Sequence, residues 1–256
     1  ACSGRAHCRE PYPQCKMHRM DRGRGGRRKR SRSSERWLSR QRRDPFARAA
    51  ARTGKISRAH FKLEQLDRRF RLLKPGVQVL ELGAAPGGWT SYIEERIAPG
   101  GRLIAVDERP VTVGAGTVQL EGWFGTEEID KQIDKILGDA RLDVVLSDMA
   151  PNISGIRSAD QARAMELAEL AEGAADRWLR PGGSLVVKIF QGEGLEAWIR
   201  RIRTKYGAFK QVKPEASRPE SREMFAVARD FRGPRSRSDD EHSEIMQSKE
   251  RTGKVV

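Results

Sequence analysis

The chain has 256 residues, enough for one domain with a sizeable apolar core. Its 50 Lys and Arg stand against 35 Asp and Glu, a formal charge of +15 that points to polyanionic partners. No run approaches the roughly 18 consecutive apolar residues of a membrane span, and the N-terminus is basic and polar where a signal peptide would turn apolar, so a cytoplasmic protein without a membrane partner is expected.

The charge is unevenly placed. Residues 1–60 hold 19 Lys and Arg against four acids, Glu10, Asp21, Glu35 and Asp44, while the rest of the chain is balanced. A basic arm on a neutral domain suits phosphate-backbone binding, with a merely solubilising tail as the plainer alternative. Residues 1–33 are rich in Arg, Gly and Ser without apolar periodicity, which predicts a disordered arm. All three cysteines, Cys2, Cys8 and Cys15, lie there, but they lack the paired C-x-x-C turn that would bring two thiolates onto one zinc, so no metal site is expected. From Ser34 the texture changes, and Arg36 to Leu38 and Phe46 to Arg52 suit short basic helices. One folded domain is expected over 34–229, followed by a disordered polar tail over 230–256.

Within the domain, short apolar runs alternate with helical patterns, the signature of a parallel sheet with helical crossovers. The predicted strands are Val77 to Leu82, Arg102 to Val106, Thr117 to Leu120, Leu142 to Ser147, Ser184 to Phe190 and Met224 to Ala228, with a weaker one near Gly207 to Val212. The predicted helices are Trp89 to Ile97, Glu127 to Leu137, Ala159 to Leu179 and Leu195 to Tyr206, the third closed by Pro181-Gly182-Gly183.

The first strand runs into Leu82-Gly83-Ala84-Ala85-Pro86-Gly87-Gly88-Trp89 and then a helix, the position at which an open α/β sheet meets its ligand. Glycines such as Gly83 and Gly87 would let a ligand approach the backbone. A glycine-rich turn alone is weak, since a plain tight turn or a dinucleotide loop looks similar. Pro86 removes an amide donor that a pyrophosphate cradle would need, which favours a nucleoside-type ligand. Asp107, at the tip of the second strand, is spaced to accept both hydroxyls of a ribose. Trp89 is equally suited to covering a ligand's edge and to packing its helix on the sheet.

Four further residues stand at element edges: Lys62, Asp148, Lys188 and Glu223. Lys188 sits inside an apolar strand, where an unpaired ammonium is costly, so it either snorkels or serves chemistry. Burial and a second lysine, Lys62, would both favour a neutral amine able to act as a base, with Asp148 balancing the pair and Glu223 orienting one ammonium or the nucleophile. A satisfied ion-pair network without chemistry is the alternative, and spacing alone does not separate the two.

Standing in order along the chain, SRAHFKL, LGAAPGGW, LSDMAPNISG, VVKIFQGEG and SRE resemble the FtsJ family of heat-shock ribosomal RNA 2′-O-methyltransferases, over about residues 30 to 228. The resemblance implies a Rossmann-like α/β fold with a seven-stranded, mostly parallel sheet whose last strand is antiparallel. It also implies a Lys-Asp-Lys-Glu tetrad at Lys62, Asp148, Lys188 and Glu223, with Lys188 as base, and an S-adenosylmethionine pocket lined by Gly83, Gly87, Trp89, Asp107 and Asp148. The implied substrate is a uridine ribose of 23S ribosomal RNA within the large ribosomal subunit, methylated by a monomer.

The chain departs from the family at Gly122-Trp123-Phe124, where an acid usually bonds the adenine amino group. Trp123 cannot accept that bond; it could stack on the adenine, or Glu121 could take over. Three rivals remain at this stage. A nicotinamide-dependent oxidoreductase would share the strand, loop and distal acid but would want G-x-G-x-x-G. An RNA-binding assembly factor could keep the fold without turnover. A methyltransferase of transfer RNA or messenger-RNA caps would use the same ribose chemistry.

Overall fold

The computed structural model describes residues 44–233; the basic arm, the cysteines, the helix expected at Arg36 to Leu38 and most of the polar tail lie outside the described residues. Asp44 opens helix α1 (Pro45–Arg52) by accepting hydrogen bonds from the amides of Phe46 and Ala47, at 3.0 and 3.1 Å. Pro45 occupies the first turn, where a missing amide donor costs nothing. Helix α2 (Ala59–Phe70) follows, its Leu63, Leu66 and Phe70 spaced to bury one face.

Strands β1 (Gln78–Leu82), β2 (Arg102–Asp107), β3 (Thr117–Glu121), β4 (Leu142–Ser147), β5 (Leu179–Phe190), β6 (Tyr206–Val212) and β7 (Glu223–Phe231) form one sheet in the order β3-β2-β1-β4-β5-β7-β6. Pairs are parallel from β3 to β5, and β7 runs antiparallel to both β5 and β6. The seven-stranded, mostly parallel sheet expected from the resemblance is therefore present, and the weakly patterned Gly207 to Val212 segment lies in β6, one of its two edge strands.

Helices α3 (Gly88–Ile97), α4 (Glu127–Leu137), α5 (Arg157–Trp178) and α6 (Leu195–Lys205) complete the layers. Side chains along a strand alternate between faces, and both faces are covered here. Val79, Leu103, Val144, Val186 and Phe225 pack with α2 and α3 on one side. Leu80, Ile104, Val145, Leu185 and Ala226 pack with α4, α5 and α6 on the other.

Two boundaries differ from the sequence expectation by three residues or more. Pro181-Gly182-Gly183 lies inside β5 rather than closing a helix. The ladder with β4 steps from Leu142↔Leu179 to Val144↔Ser184, so the segment is accommodated as an irregularity in which Arg180 to Gly182 face solvent. Such an insertion needs no straight ladder and is hidden from a period-two pattern. The last strand also runs on past Ala228 to Phe231, because Tyr206 pairs with Phe231 and their rings pack at a tilt with centroids 5.1 Å apart.

The chain lays β2 and β3 outward from β1, then returns to place β4 on the other side of β1. That reversal opens a crevice at the carboxyl ends of β1 and β4, where doubly wound sheets bind ligands.

Candidate active site

Above that crevice lies a cavity of about 930 Å³, lined by residues that follow or end four strands: Gly83 after β1, Asp107 on β2, Gly122 and Trp123 after β3, and Asp148 after β4. Lys188 from β5 also reaches it, as do Arg163, Glu166 and Leu167 from α5. The size fits a nucleoside-sized ligand.

Gly83 has φ +79°, and a Cβ there would come within 2.9 Å of the backbone nitrogen of Met149. Its need for glycine thus comes from the approach of β4's exit to β1's, since the Asp148 amide donates to the Leu82 carbonyl at 3.0 Å. The Asp107 carboxylate is partly engaged within the protein. Its Oδ2 accepts from the Ala85 amide at 2.9 Å and its Oδ1 from the Arg109 amide at 3.0 Å, leaving further lone pairs toward the cavity. Trp123 is 49% exposed on the rim.

Gly87 and Trp89 are not part of this lining. Gly87, φ +100°, forms the entrance to α3 beside Val111 and Ile56. Trp89 is buried; its indole N–H donates to the Ala59 carbonyl at 2.9 Å, and its ring lies 5.6 Å from that of Phe225. It braces the start of α2, three residues before Lys62, against the beginning of β7, two residues after Glu223.

The four edge residues come together as two ion pairs. Lys62 Nζ lies 2.6 Å from Glu223 Oε1, and Lys188 Nζ lies 2.8 Å from Asp148 Oδ1. Lys188 also donates to the Asp148 carbonyl at 2.6 Å, while the contact with Oδ1 is too oblique for a hydrogen bond. In the β5–β7 ladder Phe190 faces Glu223 and Lys188 faces Phe225. Lys188 and Glu223 are therefore diagonal neighbours on one face of the sheet.

Burial pushes the Glu223 carboxyl up, but Lys62, the Ser217 hydroxyl and the charge of Lys188 outweigh it and hold the group below its ordinary value. The Phe225 ring lies 5.7 Å from Lys62 Nζ and floors the cluster. Arg58 fixes the same corner by pairing with Asp44 and donating to the Ala216 carbonyl, which ties α1, α2 and the loop before β7 together.

A buried acid beside the site escaped the sequence reading, as did the residues that α5 contributes to the cavity. Glu81 on β1 is buried beneath the glycine loop, and burial raises its carboxyl to about 8, helped by the charge of Asp148. Its Oε2 accepts from the Thr90 hydroxyl at 2.8 Å, and its other oxygen has no partner among the described residues. An acid inside an apolar strand was the available signal, the same one that singled out Lys188. The α5 contributions were hidden because Arg163 and Glu166 read as an ordinary solvated helix face.

A profile of the FtsJ-like methyltransferase family matches residues 56–231, which span every residue of this cluster. The chain belongs to the FtsJ-like methyltransferase family. It is 46% identical over 198 residues to the ribosomal RNA large subunit methyltransferase E of Stenotrophomonas maltophilia strain K279a, covering 77% of this chain and 94% of the relative. To the protein of the same name from Pseudomonas aeruginosa it is 44% identical over 204 residues, covering 80% and 99%. Among solved structures, a Plasmodium falciparum chain described as a ribosomal RNA methyltransferase superposes with a TM-score of 0.63 at 25% identity, over 69% of this chain and 98% of that one. Membership of this family makes the chain a methyltransferase, and its reaction requires a methyl donor.

Proposed function

We propose that the protein methylates the ribose 2′-hydroxyl of a uridine in 23S ribosomal RNA of the large subunit, using S-adenosylmethionine, as a monomer in the cytoplasm. The observation that carries this reading is the position of Lys188. It is a buried lysine on the floor of a nucleoside-sized cavity, beside a carboxylate that can offset a charge formed on it.

The residues present fit the donor. Asp107 keeps acceptor capacity for ribose hydroxyls, Trp123 offers a ring face for an adenine, and Gly83 and Ala85 leave the wall open. Bound there, S-adenosylmethionine supplies an electrophilic methyl group on a sulfonium. A ribose hydroxyl ionises far above neutrality, so its oxygen attacks only as its proton leaves. Lys188 would accept that proton on Nζ as the O–CH₃ bond forms and the methyl–sulfur bond breaks, leaving the neutral thioether of the spent donor, and Asp148 would stabilise the resulting ammonium. Lys62 and Glu223, locked to each other, orient the hydroxyl toward the methyl group.

The test is transfer of labelled methyl from S-adenosylmethionine to large ribosomal subunits from cells lacking the protein, with nuclease mapping of the product. A single 2′-O-methyluridine is the expected result. Label on transfer RNA or capped messenger RNA and none on the subunit would overturn the choice of substrate. Donor binding without transfer to any RNA would favour an assembly factor.

A further inference from the structure

The loop that leaves Asp148 bares two aliphatic side chains. Ile153 is 72% exposed and Ile156 63%, the highest values for large apolar residues among those described. The backbone that carries them is nonetheless pinned. Asp160, in the first turn of α5, accepts from the Ser154 amide at 2.8 Å, the Ser154 hydroxyl at 2.7 Å and the Gly155 amide at 3.1 Å. Ser154 Oγ in turn accepts from the Ile156 amide at 3.2 Å, and Arg163 donates to the Asn152 carbonyl at 3.4 Å. Ile153 is thus held from both sides while most of its side chain is exposed.

The same loop belongs to the cavity. Pro151 and Asn152 line it together with Asp148, and exposed Trp123 lines it from the β3 side. Arg157, next after Ile156, is exposed, and Arg163 lines the cavity one and a half turns along α5. Apolar surfaces alternating with cations are what bases and phosphates of single-stranded nucleic acid require together. Lys188 is buried and Asp148 half-buried, so a reacting ribose must enter the cavity, and the base bonded to it must find an apolar resting place near by.

We propose that Ile153 and Ile156 form a preformed apolar clamp that seats the nucleobase of the RNA nucleotide presented to Lys188. The proposal rests on the reading that this site methylates an RNA ribose. It assigns substrate seating to Ile153 and Ile156, which belong neither to the tetrad nor to the lining of the cavity.

The test compares Ile153→Ser/Ile156→Ser, Ile153→Leu and Asp160→Ala with wild type in the full chain. Two readouts are taken: binding of fluorescently labelled, protein-free large-subunit ribosomal RNA transcript, and methyl transfer to unmodified large subunits. The double serine variant is expected to raise the RNA Kd and the KM for subunits about tenfold, with donor Kd and melting temperature unchanged. Ile153→Leu should behave as wild type, and Asp160→Ala should fall between. Wild-type turnover with all variants matching it would overturn the clamp and leave the methyltransferase reading intact. Weakening on subunits without weakening on protein-free RNA would assign the patch to a ribosomal protein and also overturn it. Weaker RNA binding by the serine variant, with no transfer even by wild type, would keep the clamp as an RNA contact and sink the reading it rests on.

Discussion

Lys62 and Glu223 meet at 2.6 Å between the first turn of α2 and the first residue of β7, two elements far apart in the chain. Both side chains are largely buried, so each is the other's principal compensation for lost hydration. The Glu223 carboxyl, held below its ordinary 4.5, contributes stability above that value and loses it as pH falls through the folded-state value. In Lys62→Met the attraction is gone and burial dominates, which reverses the sign. Wild type is therefore expected to exceed Lys62→Met in melting temperature most at neutral pH, with the gap closing as pH falls below the ordinary 4.5. Thermal melts across that range check this, and a constant gap would refute it.

Lys188→Ala removes the proposed proton acceptor and leaves Asp148 without its cation. Single-turnover methyl transfer should fall by at least about a hundredfold. The donor Kd should stay within a few-fold of wild type, because the remaining wall of the cavity is intact. Near-normal turnover would remove Lys188 from the chemistry.

Asp107 has two separable tasks, anchoring the Ala85 amide and presenting an anionic acceptor to the cavity. Asp107→Asn can keep the first through its amide oxygen, whereas Asp107→Ala loses both. Calorimetric titration of S-adenosylmethionine should give a graded loss, smaller for Asn and about tenfold or more for Ala. Equal affinities in all three proteins would place Asp107 outside donor binding.

Glu81, raised to about 8 by burial, keeps its proton in the folded chain at pH values where the unfolded chain has lost it. Its contribution is complete below the ordinary 4.5 and drains away as pH rises toward about 8. The limiting slope is about 1.4 kcal/mol per pH unit. Glu81→Gln should flatten that part of the stability profile, measured by urea unfolding from pH 5 to 8. An unchanged slope would mean the group is ionised in the fold.

The excess of cations in residues 1–60 predicts a phosphate-binding role for the arm. Removing residues 1–29 should weaken binding to large-subunit ribosomal RNA and flatten the dependence of log Kd on log salt. The same slope with and without the arm would make it a solubilising tail.

The parallel core was legible because β1, β2 and β4 are short apolar runs ending at Gly83, Asp107 and Asp148, and because buried strands seldom tolerate anything else. The edge at β5 was less so: the irregularity around Gly182 satisfies neither a helical nor a strand period, and only the β4 partner shows where the ladder resumes. Lys188 and Glu223 could be named separately, but their diagonal relation depends on the β5–β7 register, which no local pattern encodes. Trp89 was left open between two roles because both ask for a large ring at a helix start, and the Ala59 and Phe225 contacts that place it are long-range. Ile153 and Ile156 carry no local signal of their exposure, which composition does not encode.

The bond from the Ala85 amide to Asp107 fixes the glycine loop before any donor arrives. Donor capture should accordingly resemble filling a rigid mould rather than folding a segment around a guest. Its heat-capacity change should reflect only the apolar area covered, without the large negative contribution of coupled ordering, and the loop's amides should be as protected from hydrogen exchange in the free protein as in the loaded one.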